Sequence, residues 1–243
     1  MTSAATVSMP TPRLETVALD SLIVRLFSHI DEAHMPWVLA AEAAVHRALG
    51  DEARDIVPSY TTLLVQFDIT RLALPEARRR ILQALDGLEP LSASAGTLHE
   101  IPVWYDPSVG PELPVIAERL GVSVDEVVER HCAHDYSVFA LGFAPGFGFM
   151  GLIEEALATP RLGTPRHKVA AGSVGIADRQ TAVYPAPSPG GWNLLGRTAV
   201  KLFNRDREGY TLLQPGDRVR FVAVDREAFE SQGGDTTPQE ERR

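Results

Sequence analysis

Apolar positions along the first part of the chain switch between a strand-like and a helix-like period. Residues 14–18 and 22–27 have strand composition. Trp37, Ala41, Ala44, Val45, Ala48 and Leu49 then fall on one helical face. Pro36 stands ahead of that stripe, where its fixed φ and missing N–H suit a first helical turn, and Gly50 stands where a C-cap glycine belongs. Residues 56–60 and 63–67 read as adjacent strands, and residues 75–85 as a second helix with Ile81 and Leu85 inward and Gly87 closing it. Strand, helix, strand, strand, helix, with a further strand available, is the order of a ferredoxin-like α+β unit. The small, uncharged segment 91–96 predicts a boundary, giving an N-terminal domain over 13–95.

Beyond the boundary the pattern changes. Residues 100–105 alternate like a strand, and Leu113, Ile116, Ala117 and Leu120 share a helical face ended by Gly121. Ser123 and Glu126 form a capping box for a second short helix, with Val122 and Val127 as its hydrophobic staple. From His131 to Phe203 glycine, proline and aromatic residues interrupt short β-branched runs, which fits strands joined by tight turns. About eight short strands between residues 100 and 225 predict a closed or nearly closed barrel. Residues 226–243 turn polar and are expected to fray, as are residues 1–12.

Composition narrows the function classes. A formal net charge of −9 opposes a nucleic-acid or anionic-membrane binder, although one local Arg can still dominate a small pocket. Cys132 is the only cysteine, so no intramolecular disulfide can form, and a reducing, cytoplasmic setting is expected. No apolar run approaches the roughly 20 residues that span a bilayer. The two short helices after Leu113 imitate a DNA-binding helix-turn-helix. Asp125, Glu126 and Glu129 would then face phosphates, so a packing αα-hairpin is expected instead.

Candidate chemistry lies in the turn-rich stretch. His131 shares a face with Val124, Val127 and Val128 and is directed inward, as a core histidine or a functional one. His131 and His134 have no third ligand at a recognisable spacing, so no metal site is expected. Cys132 reads as a buried thiol before it reads as a nucleophile. Pro145-Gly146 is a type II turn signal, and the phenylalanines around it predict a plug or one wall of a cleft. Residues 171–175, A-G-S-V-G, imitate a nucleophile elbow, but strand follows where that motif needs helix, so Ser173 is not expected to be catalytic. Ser188-Pro-Gly-Gly-Trp192 can turn successive N–H groups toward one point as an anion-holding nest roofed by Trp192, or form a tight loop anchored by a buried tryptophan. Arg166, Lys168 and Arg197 are the nearby cations.

Taken together, Gly110-Pro-Glu-Leu113, His131 with Tyr136, G-F-A-P-G-F from Gly142, Pro160-Arg161, Pro165-Arg166, G-S-V-G-I from Gly172, Gln180-Thr181, Tyr184-Pro185, Ser188 to Trp192, Gly196-Arg-Thr198 and Pro215-Gly-Asp217 resemble a known family. It is that of the B-type subunit of 5-oxoprolinase, also called allophanate hydrolase subunit 1, and it includes sporulation-kinase inhibitor proteins. The chain departs from that pattern at Ala170, where the family usually has proline, at Asp178 and Ala182, where it has glycine, and at Asn204, where aspartate is common. The resemblance implies a small α+β domain followed by a cyclophilin-like β-barrel over 96–225. It implies a subunit of a complex that opens 5-oxoproline to glutamate with ATP, the ATP being used by the complex and not necessarily bound by this chain. A paralogous second subunit and a third would be its partners. The alternatives are a carboxyltransferase or allophanate-hydrolase-type subunit of urea metabolism, or a regulatory module inhibiting a histidine kinase. For the leading reading the expected acid–base or orienting groups are His131 and Tyr136. The small carboxylate substrate would meet Phe143, Pro145, Phe147, Arg166, Gln180, Ser188, Gly190, Gly191, Trp192 and Arg197.

Overall fold

A computed structural model describes residues 10–92 and 96–240; most of the expected N-terminal lead-in, the middle of the boundary segment and the last residues of the tail lie outside the described residues. The chain divides into two compact units, Met1–Ala95 and Gly96–Arg243.

The first unit runs β1 (Arg13–Ala18), β2 (Ser21–Arg25), α1 (Met35–Leu49), β3 (Ala53–Ser59), β4 (Thr62–Phe67) and α2 (Leu74–Leu85). Its antiparallel sheet has the order β1-β2-β4-β3. Alternate residues of β2 and β4 (Leu22, Val24, Leu63, Val65, Phe67) are buried against Val38, Ala41, Val45 and Leu49 of α1 and Ala77, Ile81 and Leu85 of α2. Pro36 lies in the first turn of α1, and Gly50 ends the helix at φ +56°. The ferredoxin-like core is therefore β2-α1-β3-β4-α2. Its fourth strand precedes this core as β1, a position that strand composition cannot distinguish from one after α2.

The second unit contains β5 (Leu98–Trp104), α3 (Leu113–Leu120), α4 (Val124–Cys132), β6 (Asp135–Leu141), β7 (Gly148–Gly151), β8 (Arg166–Val169), β9 (Ser173–Ala177), β10 (Gln180–Val183), β11 (Ser188–Gly190), β12 (Asn193–Arg197), β13 (Arg218–Val224) and α5 (Arg226–Ser231). Seven strands close a mixed barrel in the order β10-β7-β6-β13-β5-β12-β9, while β8 and β11 pair separately outside it. All neighbours in the barrel are antiparallel except β5 and β13, which run parallel. Ile101, Val138, Val174, Leu195 and Phe221 fill the interior, and Leu113, Ile116, Ala117 and Val127 of the αα-hairpin join the same core. Ser123 caps α4 by accepting from the Glu126 N–H at 3.1 Å, half of the expected capping box. No described helix is long and apolar enough to cross a membrane.

Residues 226–240 of the segment expected to fray are instead tied down. Asp225 caps α5, Phe229 is buried beside Trp104 and Val109, and the following strap is hydrogen-bonded through Gln239 to Ser108, Lys168 and Ala170. Polar composition concealed one buried aromatic and one glutamine whose side-chain amide meets two backbone groups and whose main-chain N–H meets a third.

Candidate functional site: an aromatic cleft beside the barrel

The β6–β7 hairpin ends in a tight turn in which Phe147 N–H donates to the Ala144 carbonyl at 3.0 Å. Gly146 takes φ +82°, as a type II turn requires, and a Cβ there would lie 3.0 Å from the Leu202 backbone. The turn leaves Phe143 at φ +66° with 65% of its surface exposed, whereas Phe147 is 1% exposed. A non-glycine residue held in left-handed backbone stores strain, and such residues concentrate at ligand clamps.

Phe147 is the hub of an edge-to-face aromatic cluster, with ring centroids 5.2 Å from Phe143, 4.9 Å from Phe149, 5.5 Å from Tyr184 and 5.7 Å from Trp192. The facing wall is the segment from Pro189 to Trp192. Together they line a cleft of about 120 Å³ with Arg161 at its side. The Arg161 guanidinium lies 5.8 Å from the Trp192 ring centroid, within cation–π range, and forms no ion pair among the described residues. Burial pushes the Tyr184 phenol above its ordinary pKa, opposed by a hydrogen bond from the Trp192 backbone, so its O–H is retained at neutral pH. The cleft thus offers aromatic faces, one exposed cation and a protonated phenol. That combination suits a small, partly apolar anion.

Among the residues expected from sequence, the structure brings Phe143, Phe147, Gly190, Gly191 and Trp192 to this cleft. Pro145 shapes the turn and is exposed without lining it. The nest does not form. Ser188 to Gly190 is strand β11, paired to β8, and neither Gly190 nor Gly191 adopts the positive φ that a nest needs. Gly190 is required for a different reason: a Cβ there would fall 2.3 Å from the Tyr184 hydroxyl. The Ser188 hydroxyl is buried away from the cleft, without a partner among the described residues.

The other expected groups lie elsewhere. Arg166 is buried and paired with Glu112, Nη2 to Oε1 at 2.5 Å, while the second Glu112 oxygen accepts the Leu194 N–H at 2.9 Å. It braces the cleft floor by donating to the Trp192 carbonyl at 3.4 Å, but its charge is committed to Glu112. Gln180 starts β10, paired to Gly151 and Ala177. Asp178, in the family's usual glycine position, opens the β9–β10 turn at φ +50°, a conformation Asp tolerates better than most residues. Arg197 is 1% exposed beneath the C-terminal strap.

His131 and Tyr136, expected as acid–base groups, are fully buried in the barrel interior. Thr181 Oγ1 donates to the Gly175 carbonyl at 3.2 Å, so it accepts from His131 Nε2–H at 3.0 Å; Nδ1 then accepts the Tyr105 O–H at 2.7 Å. Tyr136 donates to the His131 carbonyl at 2.7 Å, and the His131 ring stacks on Phe221 at 4.8 Å. Burial lowers the His131 pKa to about 3, so it is a neutral core histidine with both nitrogens satisfied. Burial likewise raises the Cys132 thiol pKa, opposite to the shift a nucleophile needs. Sequence reasoning left Arg161 and Tyr184 out of the site. Both stand in motifs that carry the family resemblance, Pro160-Arg161 and Tyr184-Pro185, but proximity along the chain favoured Arg166 and Arg197.

Residues 12–213 match the family model for the carboxyltransferase domain, subdomain C and D. The chain is 34% identical over 222 residues to the B-type subunit of 5-oxoprolinase from Bacillus subtilis (strain 168), covering 87% of this chain and 92% of that protein. It is 47% identical over 147 residues to the corresponding 5-oxoprolinase chain of Escherichia coli O157:H7, covering 60% of this chain and 66% of the relative, just under two thirds of its length. Among solved structures, TTHA0988 superposes with a TM-score of 0.74 at 41% identity over 84% of this chain and 40% of that one.

Proposed function

Because the chain belongs to the family of 5-oxoprolinase B-type subunits, with the carboxyltransferase C and D fold, we propose that it is a non-autonomous subunit of an ATP-dependent complex opening 5-oxoproline to glutamate. The observation that carries this reading is Arg161, an exposed guanidinium without an ion pair among the described residues, poised over Trp192 at an aromatic cleft. The cleft volume of about 120 Å³ is far below the roughly 300–1,000 Å³ of pockets for drug-sized ligands, and matches a molecule the size of a cyclic amino-acid lactam. Arg161 would hold the carboxylate, the aromatic faces would pack the ring, and the Tyr184 O–H would donate to a substrate oxygen.

Among the described residues that line the cleft, none supplies a nucleophile or a general base. His131, expected with Tyr136 as an acid–base or orienting group, lies inside the barrel, so this chain binds and orients while a paralogous subunit supplies the reacting groups. ATP does not fit the cleft. The volume is too small, one guanidinium faces it, and the glycine-rich turn joins two strands where a phosphate loop needs a following helix. In this proposal the nucleotide belongs to a partner.

The test is reconstitution with the paralogous subunits and measurement of 5-oxoproline-dependent ATP hydrolysis. The Arg161→Gln complex should show a raised KM, by about tenfold or more for loss of a charge-assisted hydrogen bond. Full activity without this subunit, or an unchanged KM in Arg161→Gln, would sink the proposal. The family model's carboxyltransferase name favours a second reading, carboxyl transfer to a urea-like acceptor, which the same complex would reveal by incorporating labelled bicarbonate in place of hydrolysing the lactam.

A further inference from the structure

Arg197, the last residue of β12, lies roughly 15 Å along the chain from the aromatic cleft's Trp192 and takes no part in it. Its guanidinium is 1% exposed, yet only Nη1 is used, donating to the main-chain carbonyls of Asp235 at 2.7 Å and Thr237 at 2.6 Å. Nε and Nη2 are buried and have no partner among the described residues. Ser173 stands directly opposite Arg197 in the β9–β12 register, so the two side chains share one face of the sheet. The Ser173 hydroxyl is also fully buried and has no partner among the described residues. Gly172 lets the β12 backbone approach closely beside them. It sits at φ +78°, and a Cβ there would lie 2.1 Å from the Thr198 carbonyl and 3.4 Å from the Arg197 side chain.

Buried donors are almost always satisfied, so three orphaned groups on one cross-strand pair call for an acceptor. Their arrangement defines its chemistry. Nε–H and Nη2–H form the edge of a guanidinium that grips both oxygens of a carboxylate at once, and the O–H of Ser173, opposite Arg197 in the register, is a candidate third donor. The hydrogen-bond acceptors now on Arg197 are main-chain carbonyls, with the Asp235 carboxylate as a nearby countercharge, on a strap that has almost no apolar anchor beyond Phe229 and is pinned by the Gln239 amide to the Lys168 carbonyl and the Ala170 N–H.

We propose that Arg197 and Ser173 form a second oxoanion site, shaped for a carboxylate, over which the segment from Asp235 to Gln239 is a displaceable cover. The strap lends carbonyl oxygens to the guanidinium when the site is empty and gives way when a carboxylate enters. This site is independent of the aromatic cleft, and its test does not involve turnover.

The full chain and its Gln239→Ala variant are titrated with sodium acetate and separately with inorganic phosphate, following the backbone amides of Gly172, Ser173 and Thr198 by NMR. Removing the two Gln239 side-chain hydrogen bonds should loosen the cover and tighten acetate binding by about tenfold or more. Adding Arg197→Lys to Gln239→Ala, which keeps the charge but removes the fork, should abolish that gain, and adding Ser173→Ala should reduce it. If the doubly substituted Arg197 protein does not fold, the Ser173 comparison decides. Equal acetate affinity in parent and Gln239→Ala, a gain untouched by both second substitutions, or a response to phosphate alone would overturn the proposal.

Discussion

Acidification should unlock the barrel through His131. The ring is neutral and wholly buried, and its neighbours Tyr105, Cys132, Tyr136 and Thr181 offer no negative charge to receive a proton. Its pKa is about 3 in the folded chain against 6.5 when free. Between those values the unfolded chain binds a proton that the folded chain does not. Stability is therefore fully present above pH 6.5 and is lost progressively as pH falls toward 3. Going from about pH 7 to about pH 5, the linkage amounts to about 2 kcal/mol from this one group. The other shifted groups of the barrel titrate outside that window. Asp135 and Asp235 lie below the usual carboxylate range, and Tyr105, Cys132 and Tyr184 are shifted upward. His34 is also lowered by burial, but it belongs to the first unit. Urea unfolding in a Trp37→Phe background, where Trp104 and Trp192 supply the fluorescence, reads the barrel alone. The parent should lose about 2 kcal/mol over that pH range, while His131→Gln, less stable at every pH, should lose almost none. Equal pH dependence in the two proteins would refute the assignment, as would an imidazole NMR titration showing His131 protonated at about pH 5 in the folded state.

Two further outcomes follow from contacts around the cleft. Arg166→Ala should destabilise the barrel by about 3–5 kcal/mol in urea melts, because the buried Glu112 carboxylate loses the guanidinium it pairs with, and Glu112→Gln added to it should recover part of that loss. Gly190→Ala should cost about 1–3 kcal/mol and close the cleft, since its new methyl meets the Tyr184 hydroxyl; Tyr184→Phe in the same chain should relieve the clash, which thermal melts of the single and double variants would show.

Local chemistry was legible along the chain where it acts within a few residues. The α1 stripe with Pro36 and Gly50, the Ser123 cap and the Pro145-Gly146 turn each depend on neighbours within one helical turn or one hairpin. The site was legible only by halves. The phenylalanines and Trp192 were evident as an aromatic wall, but which cation faced them depends on pairing between distant segments. Glu112, 54 positions before Arg166, claims that guanidinium, and the carbonyl of Asp235, 38 positions after Arg197, claims another, leaving Arg161 at the cleft. His131 misled for a similar reason. Its family motif pointed to chemistry, while Thr181, 50 residues on, satisfies it as a core group. The strap was not legible because it is held by one phenylalanine, one glutamine and the distant Arg197 in a polar setting.

The parallel pairing of β5 with β13 constrains how the second unit comes into being. β5 is the first barrel strand to leave the ribosome, yet both its neighbours, β12 and β13, are made last; the bond from the Thr97 N–H to the Asp217 carboxylate closes a loop of 120 residues. Until then Ile101, Val103 and Trp104 have no strand to pair with, and the nascent second unit carries an unpaired strand until β12 and β13 are made. The first unit draws all its strands from residues 13–67 and can fold while the barrel is still being made. Closing a loop of that length costs entropy before any pairing repays it, so barrel closure is expected to follow folding of the first unit.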